Sequence, residues 1–343
     1  MPESWAALYK DLLDTLALET GSATPGVAVT ILGDGERWSG ARNVDPDACF
    51  RIASVTKTFV AAAVLRLHED HRLDIFAPLP PSCEGTDQLA AAGADLTVLT
   101  PLHLLAHTSG LPDHSADPDW RAAVLRHPAR RWTRGEQLAQ ALHQSLLGPP
   151  GEVFSYSDTG YVILGALIEQ ATGLPLGQAL RAVLGYAELG LSDTWFERGD
   201  TAPATPPPRM TQYAGETDVG TLDCSIDLFG GGGLISTTRD LAHFAGQLMR
   251  GDVLRHRSSL DIMKHPGTHA GRAEQGLGLF QLDPAGEPLW GHTGFWGTAM
   301  AATDDGRWSI AVVVAHAPGM GGLDPTGLPA RFRQRRLGAA GDP

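Results

Sequence analysis

The sequence predicts an α/β protein in which an antiparallel sheet, flanked by helices, carries an inserted all-α domain. Strand-like runs of β-branched residues occur near the start of the chain and in its last third, whereas helical periodicity dominates the middle. Short Pro- and Gly-rich stretches punctuate that middle part. Because both ends supply strands, we expect one sheet assembled from both ends. The expected domains are a discontinuous sheet domain, residues 1–75 plus 226–343, and a mostly helical inserted domain, residues 76–225.

The first elements alternate between helix and strand. A Gly-Asp-Gly turn signal at 33–35 predicts a hairpin, and apolar residues spaced three and four apart after Ser54 predict a helix. The predicted elements are a helix at 4–18, a strand at 26–32, its hairpin partner at 36–41, a short apolar run at 50–53 and a helix that opens at Ser54.

The middle of the chain predicts helices, and the last third predicts mostly strands. The glycine run at 230–233 is interpreted as a flexible turn, because no Gly-Lys-Ser/Thr follows it as in a phosphate-binding loop. The RFRQRR segment at 331–336 is interpreted as solvated and basic. The predicted helices are 101–107, 135–147, 159–171, 176–184 and 238–250, and the predicted strands are 276–282, 298–303 and 308–315.

Composition excludes several classes of protein. The 343 residues carry a formal net charge of −13, with 43% hydrophobic and 19% charged residues. This indicates a globular chain with a sizeable core and argues against nucleic acid or an anionic membrane as the main partner. The three Cys are scattered, so neither a disulfide framework nor a zinc site is expected. The first residues lack the basic start and continuous apolar core of a signal peptide, which predicts a cytoplasmic protein.

Lysine is rare, since Arg supplies all but three of the 26 basic side chains. Lys10 and Lys264 are interpreted as surface charges. Lys57 follows Ser54 by three residues, so the amine and the hydroxyl share one helical face. A Ser at a helix N-terminus lies where the helix dipole favours developing negative charge, and a Lys whose pKa is lowered by burial can take its proton. The alternative is a capping serine beside a surface lysine.

Two further segments combine polar side chains with loop or strand positions. The YSD segment at 156–158 lies in a Gly/Pro-flanked loop before a predicted helix. There Asp158 can equally be a helix cap and Tyr156 a core aromatic residue. In the HTG segment at 292–294, the small glycine allows a substrate backbone to approach a strand closely, although a lone His is more often a packed or surface residue.

Taken in order, the SVTK, YSD and HTG segments resemble the three motifs of the serine β-lactamase and penicillin-binding protein family. Their spacings are similar to those of the class C β-lactamase and DD-peptidase branch, which includes family VIII carboxylesterases and D-aminopeptidases. The resemblance runs from about residue 24 to 315 and implies the β-lactamase/transpeptidase-like fold, with the active site between the two domains. Further stretches that resemble this branch are FRIASVTKTF (50–59), HTSGLPD (107–113), YSDTGYVILG (156–165) and GGGGLISTTRDLAHF (230–244).

The resemblance implies catalysis through an acyl-enzyme, without a metal or other cofactor. Ser54 is the expected nucleophile, and Lys57 and Tyr156 are expected to share the general-base work. Two backbone N–H groups, of Ser54 and Phe295, are expected to form the oxyanion hole. The expected substrate-binding or electrostatic residues are Asp158, His292 and Gly294.

Two residues depart from the commonest family pattern. Asp158 stands where the family usually has Asn; an ionised Asp can only accept hydrogen bonds, and it can keep Lys57 charged and so move base duty to Tyr156. His292 stands where β-lactamases have Lys and is typical of the DD-peptidase and esterase branches. It is expected to act, with Lys57, as a cation that eases the ionisation of Tyr156. Both departures weaken the β-lactamase interpretation.

The predicted function is therefore hydrolysis of a small-molecule ester or amide, with no nucleic-acid or membrane partner. One alternative is an acyltransferase or amide-forming enzyme of the same fold, in which an amine or alcohol replaces water. Another is a non-catalytic binding protein, which Asp158 favours. A metal site at His103 and His107, four residues apart on a predicted helix, is a further alternative, although no Glu follows the first His as in the zinc-protease motif.

Overall fold

The computed structural model describes residues 26–33, 35–265, 267, 275–282 and 289–316. The predicted helix at 4–18, Lys10 and the basic segment at 331–336 lie outside the described residues. The strands are β1 (Val27–Gly33), β2 (Glu36–Arg42), β3 (Cys49–Arg51), β4 (Trp195–Phe196), β5 (Tyr213–Ala214), β6 (Thr217–Asp218), β7 (Leu234–Thr237), β8 (Phe280–Gln281), β9 (Leu289–Gly294), β10 (Thr298–Thr303) and β11 (Trp308–Val314). The helices are α1 (Thr56–Glu69), α2 (Thr86–Ala91), α3 (Pro101–Leu105), α4 (Pro118–Arg126), α5 (Arg134–Leu142), α6 (Asp158–Thr172), α7 (Leu176–Leu184), α8 (Thr238–Arg250) and α9 (Arg257–Lys264).

The main sheet joins the two ends of the described chain. Its six strands have the order β2-β1-β11-β10-β9-β8, and neighbouring strands are antiparallel. Val27 of β1 lies opposite Val314 of β11, and Gly33 lies opposite Trp308. β1 and β2 form the predicted hairpin. The antiparallel sheet built from both ends is therefore confirmed, and β3, β7 and β4 form a second, smaller sheet.

The two faces of the main sheet bury different partners. Val27, Val29 and Ile31 of β1 pack with β11 side chains in one apolar layer. On the opposite face, Ala28 joins the main core, and the Thr30 hydroxyl lies 2.8 Å from that of Thr238 at the start of α8. Because side chains of a strand alternate between faces, this two-sided burial explains why β1 is apolar along nearly its whole length.

Helix α1 connects the sheet side of the molecule to the helical side. It packs against α6 and α7, and Phe59 stacks on Phe244 of α8 at 3.7 Å between ring centroids. The run Ala61–Ala63 is fully buried, which the small side chains permit. A lysine on so enclosed a helix requires an ionic or hydrogen-bonding partner within the protein.

Several elements of the structure differ from the sequence predictions; among them, the helix predicted at 101–107 ends at Leu105 and strand β9 was not predicted. The strand predicted at 276–282 is reduced to β8, because the chain turns at Gly278 (φ +62°), where a Cβ would lie 2.6 Å from the Lys57 carbonyl oxygen. The helix predicted at 135–147 ends at Leu142. Helices α2, α4 and α9 were not predicted, since each is short and buries few apolar side chains. The domain boundaries at 75/76 and 225/226 stay a prediction.

Within the described ranges, none of the helices has both the length and the apolar character needed to span a bilayer.

Candidate active site

Ser54 lies in a tight turn immediately before α1. The turn, Ala53–Val55, is a 3-10 helix, and α1 begins at Thr56. Ala53 has a positive φ of 48°, a backbone conformation that non-glycine residues rarely adopt. The turn is held from the sheet side, because the Thr298 hydroxyl of β10 donates to the Ile52 carbonyl at 2.9 Å. Ser54 itself is half-buried.

Lys57 is fully buried and surrounded by oxygen atoms. Its Nζ lies 3.0 Å from Ser54 Oγ, 2.7 Å from the Gly231 carbonyl oxygen and 2.6 Å from Asp158 Oδ1. Burial disfavours its charge, but Asp158 and Tyr156 outweigh that cost and hold the pKa of Lys57 above its ordinary value. The expectation of a lowered Lys57 pKa is thus wrong, because the ion pair with Asp158 outweighs the effect of burial; this direction agrees with the expectation that Asp158 keeps Lys57 charged.

Tyr156 lies against Lys57 in the loop that precedes α6. The ammonium is 5.1 Å from the Tyr156 ring centroid. Burial raises the pKa of Tyr156 to about 12, although Lys57 and Ser54, which both hydrogen bond with its hydroxyl, lower it. The structure therefore brings Ser54, Lys57 and Tyr156 into one cluster.

Asp158 is the first residue of α6, where the helix dipole favours a negative charge. Burial opposes ionisation, but Lys57 holds the pKa of Asp158 below its ordinary value. Two carboxyl groups that sequence reasoning missed lie nearby. Burial and Asp158 raise the pKa of Asp113 to about 6 and also raise that of Asp227. Asp113 is the last residue of HTSGLPD, one of the stretches that carry the family resemblance, so the sequence could have indicated it. Asp227 lies in none of those stretches.

The fold explains both carboxyl positions. Asp113 Oδ1 accepts a hydrogen bond from the Asp158 backbone N–H at 3.2 Å. Asp227 Oδ2 accepts from Trp296 Nε1 at 3.0 Å. The Asp227 carboxyl group also packs closely against Gly232, where a Cβ would lie 2.4 Å from the Asp227 carboxyl carbon. Loops distant in sequence thus bring two further carboxyl groups close enough to interact electrostatically with Asp158 and Lys57.

His292 is uncharged at neutral pH. Burial and the Lys57 ammonium lower the pKa of His292 to about 3. Its Nδ1 lies 2.6 Å from the Thr293 carbonyl oxygen, so Nδ1 bears the proton and the buried Nε2 is an acceptor with no partner among the described residues. The expectation that His292 is a cation assisting Tyr156 is wrong, because burial and the nearby Lys57 ammonium both disfavour a positive charge on its imidazole.

Gly294 allows β9 to approach the nucleophile turn. A Cβ there would lie 2.3 Å from the Ile52 carbonyl oxygen and 3.1 Å from Ala53 Cβ. Only glycine permits this contact, and it brings the next residue, Phe295, beside the Ser54 turn. The Phe295 side chain is 44% exposed and makes an edge contact with Trp296 at 4.9 Å.

The glycine run at 230–233 lies in a turn, as predicted, but close packing rather than flexibility explains its glycines. All four residues are buried, and a Cβ at Gly230 would lie 2.3 Å from the Tyr161 carbonyl oxygen of α6. The glycines therefore allow two backbone segments to touch, and this contact aims the Gly231 carbonyl at Lys57. Lys264 also differs from expectation, since it is 5% exposed and pairs with Asp304 at 2.5 Å.

The two histidines considered for a metal site each accept a hydrogen bond from a different backbone N–H. His103 Nδ1 accepts from the Thr100 backbone N–H at 3.2 Å, and His107 Nδ1 accepts from the Ser157 backbone N–H at 3.1 Å. In the described part of the chain, no group of three or more His, Cys, Asp or Glu side chains is placed to hold a metal ion.

Comparisons with known proteins identify relatives of this chain. The Beta-lactamase family model matches residues 13–327. A 160-residue segment is 34% identical to Esterase EstB of Burkholderia gladioli, covering 45% of this chain and 40% of the esterase. A 187-residue segment is 31% identical to Penicillin-binding protein 4 of Amycolatopsis lactamdurans, covering 51% of this chain and 45% of that protein. The matches thus span less than half the length of these curated relatives.

Solved structures match over more of the chain. A D-stereospecific amidohydrolase from Streptomyces sp. superposes with a TM-score of 0.77 at 29% identity, covering 90% of this chain and 94% of that one. The D-amino acid amidase from Ochrobactrum anthropi SV3, complexed with L-phenylalanine amide, has a TM-score of 0.78 at 23% identity, covering 97% of this chain and 98% of that one, and shows the shared fold.

Proposed function

The chain belongs to the Beta-lactamase family, and from this premise we propose that it is a serine hydrolase that cleaves small-molecule esters or amides through an acyl-enzyme on Ser54. The observation on which the proposal depends is the contact of 3.0 Å between Nζ of the fully buried Lys57 and Oγ of the half-buried Ser54. A capping serine beside a surface lysine, the alternative interpretation, does not predict a fully buried ammonium.

Tyr156 is the proposed base. Because Asp158 keeps Lys57 charged, the ammonium orients Ser54 Oγ and stabilises the phenolate rather than accepting a proton. After the phenol proton of Tyr156 is lost to solvent, the phenolate takes the Ser54 proton as Oγ bonds to the substrate carbonyl carbon. The phenol then returns that proton to the leaving group as the ester or amide bond breaks. Water, deprotonated by Tyr156, hydrolyses the acyl-enzyme and regenerates Ser54.

The proposed oxyanion hole consists of the backbone N–H groups of Ser54 and Phe295. Support comes from Gly294, whose close contact with Ile52 and Ala53 brings the end of β9 to the nucleophile turn. One such donor is typically worth about 3 kcal/mol of transition-state stabilisation. His292, two residues before Gly294, supplies a neutral acceptor at the substrate.

The charges of the site favour substrates without a carboxylate beside the scissile bond. Lys57 is neutralised by Asp158, and His292 is uncharged, so a substrate carboxylate gains little from either group. Phe280 adds an apolar surface, since its ring lies 4.9 Å from that of His292 and 6.3 Å from that of Tyr156. The amidohydrolase and the esterase among the relatives support amides and esters as the bonds cleaved.

We also propose that the protein works in the cytoplasm. All three cysteines, Cys49, Cys83 and Cys224, are free and buried, as expected in a reducing compartment. Cell fractionation followed by immunoblotting tests this location.

The test of function is covalent labelling. Incubation with a fluorophosphonate or p-nitrophenyl acetate, followed by intact mass and peptide mapping, is expected to give a single adduct on Ser54. Ser54→Ala is expected to lose both the adduct and ester turnover. Ser258→Ala, which alters an exposed serine of α9, is the matched control and is expected to behave like the parent. No adduct on a folded parent protein would favour the non-catalytic binding alternative.

A further inference from the structure

His107 contacts the loop that holds Tyr156 at three consecutive residues. Its carbonyl oxygen accepts from the Ser155 N–H at 2.9 Å, and its Nδ1 accepts from the Ser157 N–H at 3.1 Å. Between these bonds, its imidazole stacks on the Tyr156 ring, with 4.3 Å between centroids and 29° between planes. One residue thus fixes the backbone on both sides of Tyr156 and one face of its ring.

The backbone of His107 is adapted to this contact. Its φ of 57° lies in the left-handed region, which is unusual for a residue other than glycine. The ring is 2% exposed and also lies against Tyr161, 5.1 Å away. Such a conformation persists only where the surrounding structure enforces it, and it is frequent at functional sites.

The tautomer of His107 follows from its bonds. Nδ1 accepts a hydrogen bond, so the proton lies on Nε2, which is buried and has no partner among the described residues. Since Nδ1 is occupied by the Ser157 backbone and the ring faces Tyr156 rather than Ser54, His107 is not placed to exchange protons with a substrate.

We propose that His107 is a positioning residue for Tyr156: it fixes the loop at 155–157 and holds the phenol ring so that its hydroxyl stays within reach of Ser54 and Lys57. The inference rests on the proposed function and adds to it a residue that the three motifs do not contain. An error of about 1 Å in the position of a catalytic group can cost roughly 100-fold in rate, so a side chain that acts through Tyr156 has a measurable effect.

His107→Asn is the informative substitution. Asn tolerates a positive φ, and its Oδ1 takes the place of Nδ1 as acceptor for the Ser157 N–H, so the loop keeps its backbone bond while the ring stack is lost. We expect kcat for a p-nitrophenyl ester to fall roughly 10- to 100-fold with little change in KM. His103→Asn, which removes an imidazole from α3 without touching Tyr156, is the control and is expected to keep the parental kcat.

A double-mutant cycle separates positioning from a general structural effect. If His107 acts through Tyr156, His107→Asn is expected to change kcat less than twofold in a Tyr156→Phe background. An equal loss of kcat in the parent and in the Tyr156→Phe background would overturn the proposal. A folded His107→Asn variant with the parental kcat would also overturn it. If His107→Asn does not fold, His107→Gly, which also adopts a positive φ and removes the ring stack, is used in the same cycle. Fluorophosphonate labelling of Ser54 in the parent keeps the two questions apart: no adduct overturns the proposed function and this inference together.

Discussion

At the residue scale, Asp158 determines the charge state of the site. It lies 2.6 Å from Lys57, raises the pKa of that lysine, and also raises the pKa of Tyr156. An Asn at this position would retain the hydrogen-bonding shape without the charge. Replacing the Asp158 carboxylate with an amide is therefore expected to change the pH at which the Lys57–Tyr156 pair loses its first proton.

Asp158→Asn is expected to shift the alkaline rise of kcat/KM to lower pH. Both pKa values fall when the carboxylate is removed, because it stabilises the lysine cation and opposes the phenolate. A charge at this distance typically shifts a pKa by about 1–3 units, so a displacement of about one pH unit or more is expected. A pH–rate profile on one p-nitrophenyl ester measures it, with exposed Asp252→Asn as control. An unshifted profile would show that Asp158 does not set the protonation of the pair.

The sequence predicts the residues of the site better than their charge states. Ser54 and Lys57 are three apart, so a helical turn alone brings them together. The proximity of Asp113 and Asp227 depends on long-range loop packing, which no local pattern reveals. The charge of His292 likewise follows from burial, which a sequence motif does not specify.

At the element scale, the segment at 229–233 crosses α6 so closely that glycines are needed on both sides. In α6, a Cβ at Gly165 would lie 2.1 Å from the Phe229 carbonyl oxygen. The crossing places the Gly231 carbonyl 2.7 Å from Lys57 Nζ. Sequence reasoning predicted α6 from its periodicity but not this crossing, because the contact joins residues about 65 positions apart.

Gly165→Ala is therefore expected to destabilise the protein although alanine favours helices. The overlap with Phe229 is expected to cost about 1–3 kcal/mol, more than the gain of about 1 kcal/mol in helix propensity. Urea unfolding measures the net change, and the rate of Ser54 labelling reports displacement of the Gly231 carbonyl.

The matched control is Gly135→Ala in helix α5. A Cβ at Gly135 meets only the end of the Gln88 side chain, at 3.9 Å. This substitution is expected to leave stability unchanged or to raise it by up to about 1 kcal/mol. If both variants behave alike, close approach is not the reason for glycine in α6.

At the scale of the whole molecule, the sheet was predictable and its attachment to the helices was not. The β-branched strands at both ends of the chain indicate one sheet by their patterning alone. The enclosure of α1 between sheet and helices depends on packing such as the 3.7 Å stack of Phe59 on Phe244. That enclosure buries not only Lys57 but also several ionisable groups around it.

The buried groups make the stability of the whole fold sensitive to mild acid. Burial lowers the pKa of His107 to about 3, that of His114 to about 4 and that of His292 to about 3. The unfolded chain protonates these rings below about pH 6.5, whereas the folded protein does not, so stability falls as the pH drops. Asp113 acts in the opposite sense, because its raised pKa of about 6 lets the folded state bind a proton first.

Between pH 6 and pH 4, these four groups together are thus expected to take up about two protons net on unfolding, three by the imidazoles less one already held by Asp113. Their contribution to the unfolding free energy is expected to fall by about 3 kcal/mol per pH unit in this window. Urea titrations at pH 7 and pH 5 measure the slope. His114→Gln is expected to reduce it by about one proton, since it removes one buried imidazole, whereas exposed His256→Gln is expected to leave it unchanged. A slope unaffected by His114→Gln would show that the buried rings do not control the acid stability of this fold.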